Sequence, residues 1–374
     1  MSEGTLFLGI ETAGTGTHPA SWRRADSRAE DLFTAGYWTE VVARAEQLGA
    51  DAIFLPDAFG LQDGGTAVTR GRLDAVAIAA RVAPLTRRIG LIPQAPLTHT
   101  EPFHVSKAIA ALDFASLGRA GWEVGVSATA QEAKAFGRKA VQDRTDLWHE
   151  ADEAIEVVTR LWDSWEDGAE IRDVPTGRFI DRDRLHYIDF AGYHFSVKGP
   201  SITPRSPQGQ PIVTVRADDA VAVDVAVRRA DLVRISAPDL ATAAAHRSTL
   251  RAALAAAGRD PDTVRVLLDL TVHLADSAER ARAEVRELDQ WLGQPIDDPG
   301  LTQVGTAGEL DDLLDEIGGS AVADGVVLRP LALPATLAAL TSRPERATGT
   351  LREQLGLPRP ASRYAAATTQ GAAL

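Results

Sequence analysis

Between Ile89 and Ser127 the chain alternates in a way that few folds accept: an apolar run, a proline break, an amphipathic stretch, a glycine and a second apolar run. Ile89–Ile92 reads as a buried strand, interrupted by Pro93 and Pro96. Glu101-Pro102 then opens a helix, with proline at the first helical position, where a missing N–H costs nothing. Val105, Ile109, Leu112 and Phe114 are expected to face inward from it. After Gly118 a second strand, Gly121–Val126, ends in the polar Ser127 and Thr129. Strand, helix and strand within about forty residues make one right-handed βαβ unit, which commits the neighbouring strands to a parallel sheet.

The same alternation continues almost to the end. Leu6–Ile10 and Ala52–Leu55 read as strands, Tyr37–Leu48 and Leu73–Val82 as helices, and Asp143–Trp165 as a long helix. The stretch 167–210, rich in proline, glycine and charge, reads as an insertion with a short hairpin around Tyr193-His194-Phe195. Strands are expected over Pro211–Val215, Leu232–Ile235, Val264–Leu274 and Asp324–Leu328, with helices between them. Residues 344–374 form a C-terminal extension expected to pack on the outside. The whole predicts one α/β domain over 1–374, a (β/α)8 TIM barrel with insertion segments. A doubly wound open sheet fits less well, because Gly14-Thr15-Gly16 after the first strand lacks the third glycine of a dinucleotide loop.

Composition narrows the function classes. A net charge of −13 argues against nucleic acid or an anionic membrane as partner. The absence of cysteine removes disulfides, thiolate metal sites and a cysteine nucleophile. No leader pattern is seen, and no apolar run approaches the about 20 residues that span a bilayer, so a cytoplasmic protein is expected.

Specific residues add a resemblance. Pro102-Phe103-His104, Lys107, Leu112-Asp113, Gly118-Arg119 and Gly121-Trp122 resemble the bacterial luciferase-like flavin monooxygenases, in particular the branch of nitrilotriacetate and dibenzothiophene-sulfone monooxygenases. Leu161-Trp162-Asp163-Ser164-Trp165, the run from Gly199-Pro200 to Arg205-Ser206-Pro207-Gln208-Gly209-Gln210-Pro211, Gly305-Thr306, Asp324-Gly325 and Leu351-Arg352-Glu353-Gln354-Leu355-Gly356-Leu357 are similar to that family's further blocks, in the same order. The resemblance implies a barrel with reduced FMN at its C-terminal mouth. It also implies a flavin reductase to supply the FMN, a small organic substrate oxidised with O2, and a homodimer.

Candidate contacts follow from that implication at strand ends. His99 and Glu123 are the catalytic candidates; Asp57, Thr98, Ser127, Thr145, Asp218 and Asp219 are the candidates for cofactor binding. Each has a plainer alternative: Asp57 could cap a turn, His18 could face substrate or water, and Trp22, Trp38 and Trp122 read as core. His99 and His104 flank Glu101 across a helix start, which is no ligand spacing, so no metal is expected.

Three positions depart from the family. Glu123 stands where the resemblance implies asparagine, and an ionised carboxylate only accepts hydrogen bonds. Thr145 stands in place of a tyrosine near the cofactor. The phosphate loop, glycine- and serine-rich in the family, reads Val215-Arg216-Ala217-Asp218-Asp219-Ala220-Val221-Ala222. Aspartate at a helix start is an ordinary N-cap that satisfies the amides a phosphate would use. A carboxylate facing a phosphate at about 4 Å costs about 4 kcal/mol at intermediate dielectric, roughly a thousandfold in affinity. Arg144 and Arg216 are the cations at hand to offset it. Three functions are therefore expected: an FMN-dependent two-component monooxygenase, a deazaflavin-dependent oxidoreductase, or a relative that binds no FMN and acts as a binding subunit or by flavin-free chemistry.

Overall fold

The computed structural model describes residues 6–65, 67–344 and 348–365. Eight parallel strands form the frame: β1 (Phe7–Glu11), β2 (Ala52–Leu55), β3 (Gly90–Pro96), β4 (Gly121–Gly125), β5 (Ile212–Arg216), β6 (Leu232–Ile235), β7 (Arg265–Leu274) and β8 (Gly325–Pro330). Each pairs with the next in order, and β8 pairs with β1 to close the barrel. An extra strand, Thr302–Gly305, adds to the outer end of β7 from Thr271 to Leu274.

Helices α1 (Ala35–Gln47), α2 (Ala75–Val82), α3 (Pro102–Ala115), α4 (Arg144–Asp163), α5 (Ala220–Arg229), α6 (Leu240–Ala256), α7 (Ala278–Leu292) and α8 (Ala307–Gly319) lie between the strands. Their starts are written in the sequence. Thr34, Asp74, Asp143, Asp219, Asp239, Ser277 and Thr306 each accept a hydrogen bond from a first-turn amide through the side chain. On α3 the buried face is Val105, Ile109 and Leu112, spaced by four and three. Phe114 is 41% exposed, contrary to the expectation that it faces inward, because it follows Leu112 by only two residues and so points about 200° away from it.

Two short hairpins occupy the insertion 167–210: Glu170–Asp173 with Arg178–Ile180, and Phe190–Ala191 with Ser196–Val197. The insertion is tied back to α3 where Asp113, fully buried, accepts from the Gln208 backbone N–H at 3.2 Å and the Gln208 side chain at 2.6 Å. The C-terminal extension closes the lower end of the barrel. Leu351, Leu355 and Leu357 join one apolar cluster with Phe7, Phe54, Ile92, Ile212, Leu232, Leu267 and Val327. Residues 345–347 and 366–374 of the extension lie outside the described residues.

Candidate active site

The bore changes character halfway up. Side chains alternate along a strand, so the face carrying Leu232, Leu267 and Val327 carries Arg234, Asp269 and Arg329 two residues later. Arg234, 1% exposed, donates to Glu11 at 2.6 Å, to Glu123 at 2.7 Å and to Asp269 at 2.8 and 3.0 Å. Phe54 lies beneath its guanidinium, 4.8 Å from ring centre to charge. Arg216 adds a contact to Asp269 at 3.2 Å, and Arg329 joins Glu11 at 3.3 Å to Asp298 at 3.2 Å. Burial alone would raise the Glu11 carboxyl, and the three surrounding guanidinium groups outweigh it, holding the group at about 2. Glu123 keeps a raised pKa, because burial there exceeds the attraction of Arg234 and Arg216. Isolated charges inside otherwise apolar strands were the signal for this layer, since a charge on a strand buried on both faces must find a partner.

Beside this network opens a cavity of ≈460 Å³ at the upper ends of β1, β2 and β8. Its wall mixes Leu32, Trp38, Leu55, Val68 and Ile78 with Thr12, His18, Arg72 and Arg329. The β1 loop reaches it only because residue 16 is glycine: φ there is +145°, and a β-carbon would run into the Leu331 carbonyl. His18 is fully buried; its Nδ1 accepts from the Ala20 amide at 3.1 Å and its Nε2 meets Asp289 at 3.3 Å. Nδ1 is therefore the unprotonated nitrogen, and burial lowers the pKa of the ring.

The eight sequence candidates lie elsewhere, and none of them lines this cavity. Asp57 follows β2 and caps α2: its carboxylate accepts from Ala75 at 2.9 Å and Ala58 at 2.8 Å, and burial raises its pKa. Thr98 and Ser127 meet at the ends of β3 and β4, where the Ser127 amide donates to the Thr98 hydroxyl at 2.8 Å. His99 stacks on Phe136 at 4.7 Å, with Phe59 at the edge of the same ring, and both its ring nitrogens are buried without a hydrogen-bond partner. Thr98 and His99 line a separate recess of ≈230 Å³ with Arg138, Lys139 and His194. Glu123 belongs to the Arg234 network, and Thr145 is exposed on the first turn of α4. No group of three or more metal-ligating side chains occurs among the described residues.

At the start of α5, one oxygen of Asp219 accepts from the amides of Val221 and Ala222, both at 2.9 Å, and the other pairs with Arg144. Asp218 is exposed, 3.7 Å from Arg216. A phosphate at this helix start would need those amides and that cation, and a carboxylate already holds both. A phosphate could use this helix start only by displacing the Asp219 carboxylate.

A family model described as luciferase-like monooxygenase matches residues 7–355. The chain is 32% identical to N-acetyl-S-(2-succino)cysteine monooxygenase of Bacillus subtilis over 77% of its own length and 65% of that protein's. It is 32% identical to the nitrilotriacetate monooxygenase of Aminobacter aminovorans, in its first component, over 83% and 70%. One of the pristinamycin IIA synthase subunits of Streptomyces pristinaespiralis matches at 32% identity over 90% of this chain and 94% of that one. Thus the chain spans about two thirds of the first two relatives and nearly all of the third. The EDTA monooxygenase of Chelativorans shares the fold, with a TM-score of 0.85 over 95% of this chain and 99% of that one at 21% identity. On the extent of the family match and these identities, the chain belongs to the luciferase-like monooxygenase family.

Proposed function

We propose that this chain is the barrel component of a two-component flavin-dependent monooxygenase, which oxidises a small organic substrate with O2 and reduced FMN supplied by a separate reductase. The observation that carries the reading is the ≈460 Å³ cavity at the mouth of a barrel of this family. In such systems the reduced flavin supplies the oxygen activation. This chain's own residues bind and orient the organic molecule against Trp38, Leu55 and Ile78 and keep water from it.

A second reading concerns where the flavin sits. Here the chain is a binding subunit that works with a flavin-bearing one, and Asp219 is the observation that favours it, since it occupies the amides a phosphate would use. The near end-to-end match to a relative named as one subunit of a synthase supports the same reading.

Reconstitution tests the main proposal. The chain is combined with a flavin reductase, NADH, FMN and isotopically labelled O2, and a panel of small organic acids, sulfides and amines is screened. The expected outcome is one labelled oxygen atom in an organic product, dependent on this chain. Oxygen uptake that ends wholly as hydrogen peroxide across the panel, with and without the chain, would overturn the proposal.

A further inference from the structure

The mouth cavity holds two guanidinium groups in different states. Arg329 is already engaged by Glu11 and Asp298. Arg72 has no carboxylate at ion-pair distance among the described residues, and its Nε is buried with no hydrogen-bond partner. The nearby acids are spoken for or turned away. Glu11 faces Arg234, Asp57 feels the Arg72 charge at a distance but gives both oxygens to amide hydrogen bonds, and Asp63 stands exposed on the rim. A buried donor left unmade costs free energy that a bound acceptor would recover.

The segment carrying Arg72 is fastened in place. Gln62 and Gly71 exchange two hydrogen bonds, of 3.0 and 2.9 Å, and the Trp22 indole N–H holds the Ala67 carbonyl at 2.9 Å. Val68, buried, closes the apolar side of the cavity. The backbone that carries Arg72 is thus held beside an apolar wall, an arrangement suited to a small amphipathic anion.

We propose that this cavity binds a small organic monocarboxylate, with the carboxylate on Arg72 and the apolar body against Trp38, Leu55, Val68 and Ile78. The planar fork of arginine matches a carboxylate through two parallel hydrogen bonds. One guanidinium without an ion pair matches one negative charge, and a dianion's second charge would have to displace Glu11 or Asp298 from Arg329. The proposal deepens the reading of the mouth as the substrate site, and it requires no flavin.

The test is calorimetric titration of the full chain, without flavin, using phenylacetate and its neutral isostere phenylacetamide as probes. The acid is expected to bind about tenfold more tightly than the amide. Arg72→Gln is expected to lower the affinity for the acid about tenfold and leave the amide unchanged, whereas Arg81→Gln, on the exposed side of α2, changes neither. Equal affinity for acid and amide, no heat from either probe, or a preference that survives Arg72→Gln would each overturn the proposal. Should Arg72→Gln fail to fold, the ratio of acid to amide on the wild type decides alone. Failure of the chain to bind FMN leaves this result untouched, so the two readings fail separately.

Discussion

Removing the Arg234 guanidinium would leave Glu123 without its ion-pair partner and Glu11 and Asp269 with only Arg216 and Arg329, above Phe54 at the centre of the barrel. Breaking a buried ion network on one side costs about 3–5 kcal/mol. Arg234→Met is therefore expected to lower the unfolding free energy by about that much in urea denaturation, and a loss under about 1 kcal/mol would mean that the bore admits solvent. His18 gives a test with a definite sign. Its folded pKa lies below the ordinary 6.5, so below that value the unfolded chain takes a proton that the folded chain refuses. The stability His18 contributes is present above pH 6.5 and is lost as pH falls toward its folded value. The stability of wild type relative to His18→Gln should decrease between about pH 7.5 and about pH 5.5. An increase over that interval would contradict the buried, neutral ring.

Elements with a clear apolar run or period were legible in the sequence, and those without one were not. β2 and β6 lie where the apolar runs place them, and Pro102 opens α3 as expected. The four-residue strand Thr302–Gly305 shows no apolar run, because it lies part-exposed on the outer end of β7 and carries Thr302 and Gln303. The site was less legible for a related reason. Asp57, Thr98 and Glu123 were recognisable as polar groups at strand ends, but their partners are long-range. Arg234 is 111 residues from Glu123 in sequence, and Gly71, which fastens the loop before Arg72, is recognised only by its contact with Gln62. The C-terminal closure carries its own test. Leu351 is fully buried under the strands, so Leu351→Ala should cost about 2–5 kcal/mol of stability while leaving the mouth unchanged. A melting temperature equal to wild type would show that the extension does not seal the barrel.

At the scale of the whole molecule, a barrel shared with flavin monooxygenases meets a helix start that carries its own anion. The frame was predictable because several blocks of residues resemble the family's in the same order, and residues of three of them do visible structural work: Asp113 binds the insertion, Arg205 binds Asp163 at 3.1 Å, and Arg352 binds Asp231 at 2.9 Å. The start of α5 departs from what the resemblance implies at a point where structure places no demand, because Asp219 caps α5 as well as a serine would. Flavin binding is thus the property free to change while the fold stays intact. Titration of FMN against the wild-type chain and against Asp218→Gly/Asp219→Ser, followed by quenching of flavin fluorescence, measures this directly. The expected result is measurable but weakened binding by wild type, as turnover on FMN requires, and at least about tenfold tighter binding by the double variant. Wild-type binding in about the low micromolar range or below, unchanged in the variant, would contradict the assignment of Asp219 as the occupant of the phosphate's place.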